Sequence, residues 1–547
     1  MLASRAAAPE SSTGIPATGA ATRRYRTALL VAAWVVGGAV LVIWFYYVGV
    51  RVFPGDSDGA TVVLQGQSIH AGQLTLSGWR TLYDSFWTVD APFYAIGVAI
   101  LGVDPRLLYL VPAVLAAAVT VVGSWLARGE RRGVPAAVAV VTVLGLLALP
   151  SDVWTRFFLR GPLHIGTVLW CLLAFAALRR GGWGWRWAAA VVLLAAGLLG
   201  DLLMLPLGVA PAFGAGVIAM LRTRDWRRGL PTVTAAVAGG VLAVVVRKIA
   251  ELVGTYAIGH ANPSADNDRM LANVKSLPGM AAALFGTGNG HFGPGDVPAA
   301  LAAVHVVGLL AVTAAAVAAA VRLVRGAWTG AQRADDASSG WRLDDLLVLA
   351  CLIDLPLFVV LTTSGDANFV RYLTPLVLFG AVLAGREAGR LVEAVGTGAV
   401  RRGGYALGVG VLACYLAAMG PTVTRAVVPY TSADVVRFLE AQGLHEGVGS
   451  YWEASMTTVA AHGDVVVRPV IVDDGTIVRY GKQSTRDWYS ARPFRFLVYN
   501  VAAPWGGIDS ASAATTFGPA ARTYAVGKYR VLVWDHPISV APDRYGG

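Results

Sequence analysis

The sequence predicts an α-helical polytopic membrane protein, with about eleven transmembrane helices and a C-terminal α/β domain on the outer side of the membrane. Three observations carry this. Of 547 residues, 56% are hydrophobic and 14% charged, with a mean hydropathy of +0.59, whereas soluble domains hold about 25% charged residues. The apolar residues collect into long runs separated by short arginine-rich segments, the mark of repeated membrane crossings. From about residue 423 onward that pattern stops. The net charge of +11 is therefore no nucleic-acid footprint, and no nucleic-acid partner is expected. Only four of the 44 basic residues are lysines, and most arginines lie between apolar runs. Cys171, Cys351 and Cys414 all fall inside such runs, which excludes a disulfide framework in the soluble part and a cysteine-based metal site. The excess of Arg over Lys, with abundant Ala, Gly and Val, points to a GC-rich, actinobacteria-like genome.

Taken in order, residues 1–26 form a polar Ala/Ser-rich tail, expected to be disordered and cytoplasmic, ending in Arg23, Arg24 and Arg26. The run from Ala28 to Val50 is too long for a signal-peptide core and reads as an uncleaved anchor. Further spans are expected at 106–127, 134–149, 163–178, 188–201, 202–221, 230–250, 299–321, 344–363, 372–385 and 404–422. The pair meeting at Asp201 reads as a tight hairpin. With the N-terminus inside, the inner short segments hold 22 basic residues in 89 positions and the outer ones 10 in 129. That bias supports a cytoplasmic N-terminus. The span domain covers 27–422, with long outer loops at 51–105 and 252–298.

The tail, 423–547, has strand-length apolar stretches (Val465–Val467, Val470–Val472, Phe496–Val501, Tyr529–Trp534) split by Gly, Pro and Asp-Gly turns. Ser432 to Gln442 has helical spacing. Together these predict a small extracytoplasmic α/β domain.

The outer loops are the expected catalytic material. Gly55-Asp56-Ser57-Asp58-Gly59 directly follows the first span and sets two carboxylates at the outer membrane surface. A helix-like stretch through Val62, Val63, Gln67 and Ile69 follows and breaks at Gly72. Then come Tyr83-Asp84-Ser85-Phe86-Trp87-Thr88-Val89-Asp90-Ala91-Pro92-Phe93-Tyr94 and a Gly102-Val103-Asp104-Pro105 turn into the second span. A second segment runs from Asp152 through Arg156 and Arg160 to His164, and a third from Asp366 through Arg371-Tyr372-Leu373-Thr374-Pro375.

This layout resembles the GT-C glycosyltransferases, including the protein O-mannosyltransferases and lipid A aminoarabinose transferases. In them an acid just after the first span precedes an amphipathic helix and a Pro-aromatic segment. The resemblance implies a polyprenyl-phosphate sugar as donor, and a cell-envelope glycan, lipid or protein as acceptor. It places the catalytic acid at Asp58 or Asp56, with Asp152 as a second acid by position. Asp56-Ser57-Asp58 also resembles the Asp-x-Asp of oligosaccharyltransferases. That implies a divalent metal, Mg or Mn, on Asp56 and Asp58 as the one cofactor candidate.

The residue types suit that chemistry on their own. Hydroxyl attack on an anomeric carbon needs a carboxylate to take the proton, and a departing lipid phosphate needs cations. Arg160, Arg371, Arg156, Lys248 and Arg247 all stand at expected outer ends of spans, at headgroup height beside the membrane lipid. Asp84, Asp90, Trp87, Tyr94 and Trp452 are candidate contacts for sugar or acceptor. Each also has a plainer role: Asp56 or Asp58 as helix N-cap, Asp84 and Asp90 as loop hydrogen-bonders, the arginines as snorkelling side chains. Tyr451, Trp452, Trp488, Tyr489 and Trp505 suit core packing as well as stacking on sugars. His164 and His291 stand without a partner pattern. Asp354, mid-span before Pro356, is a polar contact within the bundle.

The expected function is inverting transfer of a sugar from a polyprenyl-phosphate donor to an envelope acceptor, on the outer face of a bacterial plasma membrane. The alternative is a flippase or transporter of lipid-linked precursors. It calls for ionisable residues through the bundle, where Asp354 alone is clearly mid-span. A third reading is a non-catalytic assembly or receptor protein, in which the tail does the binding.

Overall fold

The computed structural model of the chain describes residues 18–258, 265–287, 299–329, 341–360, 367–395, 398–490 and 493–543. His291 and Asp366 lie outside them. The chain begins with α1 (Thr18–Val52), α2 (Ser57–His70), β1 (Trp79–Thr81), α3 (Ala91–Leu101), α4 (Leu107–Arg128), α5 (Gly133–Ala148) and α6 (Asp152–Phe158). There follow α7 (Ile165–Leu178), α8 (Trp185–Gly200), a π-helical turn over Leu205–Val209, α9 (Ala210–Thr223), α10 (Trp226–Val253) and β2 (Ala257–Ile258). The helical part closes with α11 (Asn267–Leu284), α12 (Ala299–Thr329), α13 (Leu343–Val360), a 3-10 segment over Ala367–Leu373, α14 (Thr374–Ala394), α15 (Ala399–Ala418) and α16 (Gly420–Thr424).

Every expected apolar run is helical, yet the count of eleven spans is not reproduced. Among the described residues, seven helices are long and apolar enough to cross a membrane, eight if α5 and α6, bent by 91° at their junction, are one broken span. The other expected runs became α5, α7, α8 and α13. With α7 at 14 residues and α8 at 16, a rise of about 1.5 Å per residue leaves each short of the roughly 30 Å core. The 18-residue α13 carries Asp344, Asp345 and Asp354. The helical part is thus a multi-pass membrane domain in which α5, α7 and α8 are shorter than a full span.

At the bundle end away from the tail domain, ion pairs tie the helices together. The α9 residue Arg222 grips Asp345 of α13 through two bonds, 2.5 and 3.1 Å. Beside it Asp344 takes Arg386 and Arg390 of α14. A charge here is held by partners because little water reaches it.

The tail comprises α17 (Ala433–Ala441), β3 (Glu446–Ser450), α18 (Tyr451–Ala460), β4 (Val466–Asp473), β5 (Thr476–Arg479), β6 (Ser484–Thr485), β7 (Phe494–Asn500), α19 (Ser510–Phe517), β8 (Arg522–Val526) and β9 (Tyr529–Ile538). Six strands form a mixed sheet in the order β5-β4-β3-β7-β9-β8, with β3 parallel to both neighbours. Alternation along the strands builds two cores. Phe496, Val498, Val531 and Val533 pack under α17 and α18, while Leu497, Tyr499, Leu532 and Trp534 pack on the α19 side. Two expected strands run on as β4, through Pro469. Its carbonyl accepts from Tyr480 N at 3.1 Å, so its missing N–H faces the same side, past the last β5 rung at Val470.

A second, three-stranded sheet (β2-β1-β6) draws one strand each from the first long loop, the second long loop and the tail. All three pieces therefore meet over one end of the bundle.

Candidate active site

The site begins where α1 ends. Asp56, in extended conformation, caps α2 by accepting from Gly59 N at 2.9 Å. This satisfies an otherwise orphaned amide and turns Asp58 into the first turn of α2. Asp56 Oδ2 also pairs with Arg160 Nε, and Arg160 Nη2 stands 3.9 Å from Asp58 Oδ2. The tail closes over this pair. Tyr451 donates its hydroxyl to Asp58 Oδ1 at 2.5 Å, Ser57 donates to the Trp452 carbonyl at 2.8 Å, and Thr61 donates to Ser455 Oγ at 3.0 Å. Around Tyr451 lie Trp452, Tyr480 and Trp505, with ring centroids 5.1–5.8 Å away. Trp452 is 39% exposed.

Burial pushes the Asp58 carboxyl above the usual carboxylate range and Asp56 adds to this, while Arg160, the Tyr451 hydroxyl and Arg371 pull it back. A carboxyl so raised is a better proton acceptor than an exposed one.

A second group lies beside the first. His164, buried in a left-handed conformation before α7, places Nδ1 2.7 Å from Asp201 Oδ2. Thr167 donates to that same oxygen, and Leu203 N donates to Asp201 Oδ1 at 2.9 Å. Asp84 completes the group: ligand atoms of Asp84, His164 and Asp201 lie within 4.8 Å of one another. Burial pushes the Asp84 carboxyl up to about 7, Asp201 pushes in the same direction, and His164 and Arg371 oppose. Asp90 is buried nearby, its Oδ2 without a hydrogen-bond partner among the described residues. Burial and then Asp201 raise its carboxyl to about 7 as well.

The two groups share residues. Arg371 acts on both Asp58 and Asp84, and its guanidinium lies over the rings of Phe369 and Tyr372, 5.2 and 5.0 Å away. Tyr94, fully buried, lies within electrostatic reach of Asp90 and Asp56. Room for it comes from Gly161, where a Cβ would sit 2.4 Å from the Tyr94 hydroxyl.

The remaining candidates are placed as follows. Asp152 heads α6 and pairs with Arg425 at 2.8 Å, also accepting from Thr422 at 3.0 Å. Arg247 bonds Glu251 at 3.0 Å and the Tyr256 carbonyl at 3.1 Å, and Lys248 bonds Glu251 at 2.8 Å. Arg156 is exposed. Trp87 donates to the Leu74 carbonyl at 2.7 Å. Asp354 is buried in α13 with neither oxygen bonded among the described residues. Thus Asp56, Asp58, Arg160 and Arg371 come together, joined by Asp84, Asp90 and Tyr94, while none of the bonds of Asp152, Arg247 or Lys248 ties them to that cluster. Missed from sequence were Asp201, read as a hairpin joint, His164 as its partner, and the contact of Tyr451 with Asp58. The acid-binding geometry also extends beyond the Asp56–Asp58 pair expected to hold a metal. Those two face Arg160, whereas the group with mixed carboxylate and imidazole donors is Asp84, His164 and Asp201.

No family model matches the sequence, and comparison with curated proteins gives no match. Among solved structures, ArnT from Cupriavidus metallidurans in the apo state aligns over 93% of this chain and 98% of its own, with a TM-score of 0.53 at 13% identity. The same protein bound to undecaprenyl phosphate aligns over 92% and 97%, also with 0.53 and 13%. The Archaeoglobus fulgidus oligosaccharyltransferase tethered with an acceptor peptide aligns over 85% and 69%, at 0.44 and 13%. Over nearly its whole length, this chain has the fold of ArnT from Cupriavidus metallidurans.

Proposed function

We propose that the protein is a glycosyltransferase that moves a sugar from a polyprenyl-phosphate donor to a cell-envelope acceptor, with inversion at the anomeric carbon. The observation that carries this reading is the Asp58 carboxylate, raised in pKa and held between Arg160 and Tyr451 at the bundle end where both long loops and the tail meet. The ArnT fold supports it, and so does the undecaprenyl phosphate that ArnT binds.

The acceptor hydroxyl attacks the anomeric carbon as Asp58 takes its proton. The bond from that carbon to the phosphate oxygen breaks, and the oxygen leaves with its electron pair and negative charge. Arg371, whose aromatic neighbours leave its charge weakly hydrated, and Arg160 stabilise that charge. Asp56 is a positioning residue: it caps α2 and orients Arg160. Arg23, Arg24 and Arg26 directly before α1 support a cytoplasmic N-terminus, with residues 423–547 forming an outer domain that presents the acceptor at the rim beside Trp452.

The test is transfer from a panel of labelled polyprenyl-phosphate sugars in membrane vesicles, comparing wild type with Asp58→Asn. Transfer by the wild type that falls by about 10²–10⁴ in the variant is the expected result. Vesicles that carry labelled lipid across the bilayer without any transfer would replace this reading with a flippase.

A further inference from the structure

We propose that the N-terminal half of α1, with α4 and α5, forms a binding site for one anionic phospholipid, at the end of the bundle opposite the candidate active site. Helix α1 packs closely through its C-terminal half. There Phe45, Val48 and Val52 are buried, Phe45 meets Phe158 with ring centroids 5.4 Å apart, and Trp44 Nε1 donates to the Ala148 carbonyl at 2.6 Å. In the N-terminal half Leu30, Val35, Val36 and Val40 are exposed, and the helix comes near α4 at Gly38, where a Cβ would meet Val121 at 3.7 Å. Because Trp44 ties α1 to the last turn of α5, the space between these helices is closed at that end and widens away from it. The resulting groove has a volume of about 1480 Å³ and is lined by Leu30, Trp34, Val140 and Leu144 among others. Small-molecule pockets hold only about 300–1,000 Å³. Along α1 the lining runs from Thr27 to Leu41, about 21 Å at 1.5 Å per residue, which covers the roughly 15 Å of one leaflet.

Charge at the open end selects the ligand. Arg128, in the last turn of α4, and Arg132, the N-cap of α5, both line the groove. Neither side chain is paired among the described residues. The other charges of that turn are engaged elsewhere: Arg131 pairs with Glu393 at 3.1 Å, and Glu130 with Arg179 at 3.2 Å. Two guanidiniums without a counter-ion therefore face an apolar groove, which is the arrangement a phosphate carried on acyl chains requires. No side chain caps the first turn of α5, which starts at Gly133 on the groove wall, so its amides add donors for an anion. One turn of α4 deeper, about 6 Å, Ser124 also lines the groove, and its buried hydroxyl has no partner among the described residues. That hydroxyl stands at the depth of a glycerol ester carbonyl below its phosphate. Arginines that only snorkel to the interface call for neither the groove nor this hydroxyl.

An extended peptide in the groove would bring unsatisfied backbone groups to membrane depth, whereas acyl chains bring none. A lipid seated there fills the wedge beside α1, the helix whose other end leads into Asp56 and Asp58. The binding does not rest on the glycosyltransferase reading.

Full-length protein in mild detergent is titrated with phosphatidylglycerol or with phosphatidylcholine, which has the same chains and no net charge. Bound lipid is counted by native mass spectrometry, and melting temperature is read in parallel. The expected result is one phosphatidylglycerol held per chain in preference to phosphatidylcholine, with a higher melting temperature when it is bound. Arg128→Gln with Arg132→Gln should bind phosphatidylglycerol about 30-fold more weakly. At Gly37, on the α1 wall, a Cβ would meet nothing within 4 Å. Gly37→Trp should therefore fill the groove and abolish binding while the lipid-free protein melts as the wild type does. Arg23, Arg24, Arg26 and Arg131 stay in every variant, so insertion should be unchanged, and Asp58→Asn should bind lipid normally. Equal retention of the two lipids, or undiminished phosphatidylglycerol in either groove variant, overturns the site. A dimer that forms without lipid and is broken by Gly37→Trp overturns it too, by giving the groove to a second copy of the chain. None of these outcomes depends on sugar transfer.

Discussion

The Tyr451 hydroxyl donates to Asp58 Oδ1 across 2.5 Å, although 393 residues separate the two in sequence. The bond favours the ionised carboxyl and so lowers the Asp58 pKa. Tyr451→Phe removes that help while keeping the ring. The Asp58 pKa should then rise further, and the acidic limb of the pH profile for kcat/KM should move to higher pH, with the alkaline plateau largely retained. An unmoved limb would show that Asp58 is not the titrating base.

Asp56 and Asp58 are two residues apart but do different work. Asparagine at 56 still caps a helix but cannot pair with Arg160, whereas asparagine at 58 cannot accept a proton. Both variants should be inserted and stable, and single-turnover transfer should fall far more for Asp58→Asn. Equal losses would assign both acids to the chemistry.

Asp90 should make stability depend on pH. Its carboxyl is raised to about 7 from an unfolded value of 3.8, so between those values the folded state holds more protons than the unfolded one. Stability is then full below the unfolded value and is lost as pH rises through the folded one, by an upper bound of about 1.4 kcal/mol per unit of separation. In metal-free protein, Asp90→Asn should flatten the dependence of melting temperature on pH between about 4 and 7. An unchanged slope would assign it to other groups.

The Arg222–Asp345 pair is buried on both sides, with 5% and 3% of the side chains exposed. Arg222→Ala strands a carboxylate between α9 and α13 and should cost about 3–5 kcal/mol. Replacing both partners together, Arg222→Met with Asp345→Leu, should cost less, since no charge is then left alone. Thermal unfolding in detergent measures both.

Much of this was legible in the sequence because the membrane imposes it. Apolar runs such as 106–127 and 230–250 had to be helices, since no other backbone satisfies its own hydrogen bonds in lipid. Crossing was harder to read, because α7 and α8 are apolar yet short and α13 is long yet acidic. Asp56, Asp58 and Arg160 stood out as charges on a side poor in them. The Asp84–His164–Asp201 group did not. Its members come from three segments, and only the packing of α7 against α8 brings Asp201 to His164, 37 residues away. Tyr451 was equally hidden, for nothing local distinguishes an aromatic that packs from one that bonds to a distant carboxylate.

The seating of α18 on α2 also bears on how the protein is made. Ser57, Asp58 and Thr61 find their partners in Trp452, Tyr451 and Ser455, which leave the ribosome only after all the membrane helices. A nascent chain can thus be fully inserted while its first-loop acids still lack their cover. Sites of this kind mature last, and a chain cut short before residue 451 would sit in the bilayer with its helices in place and its reaction centre unassembled.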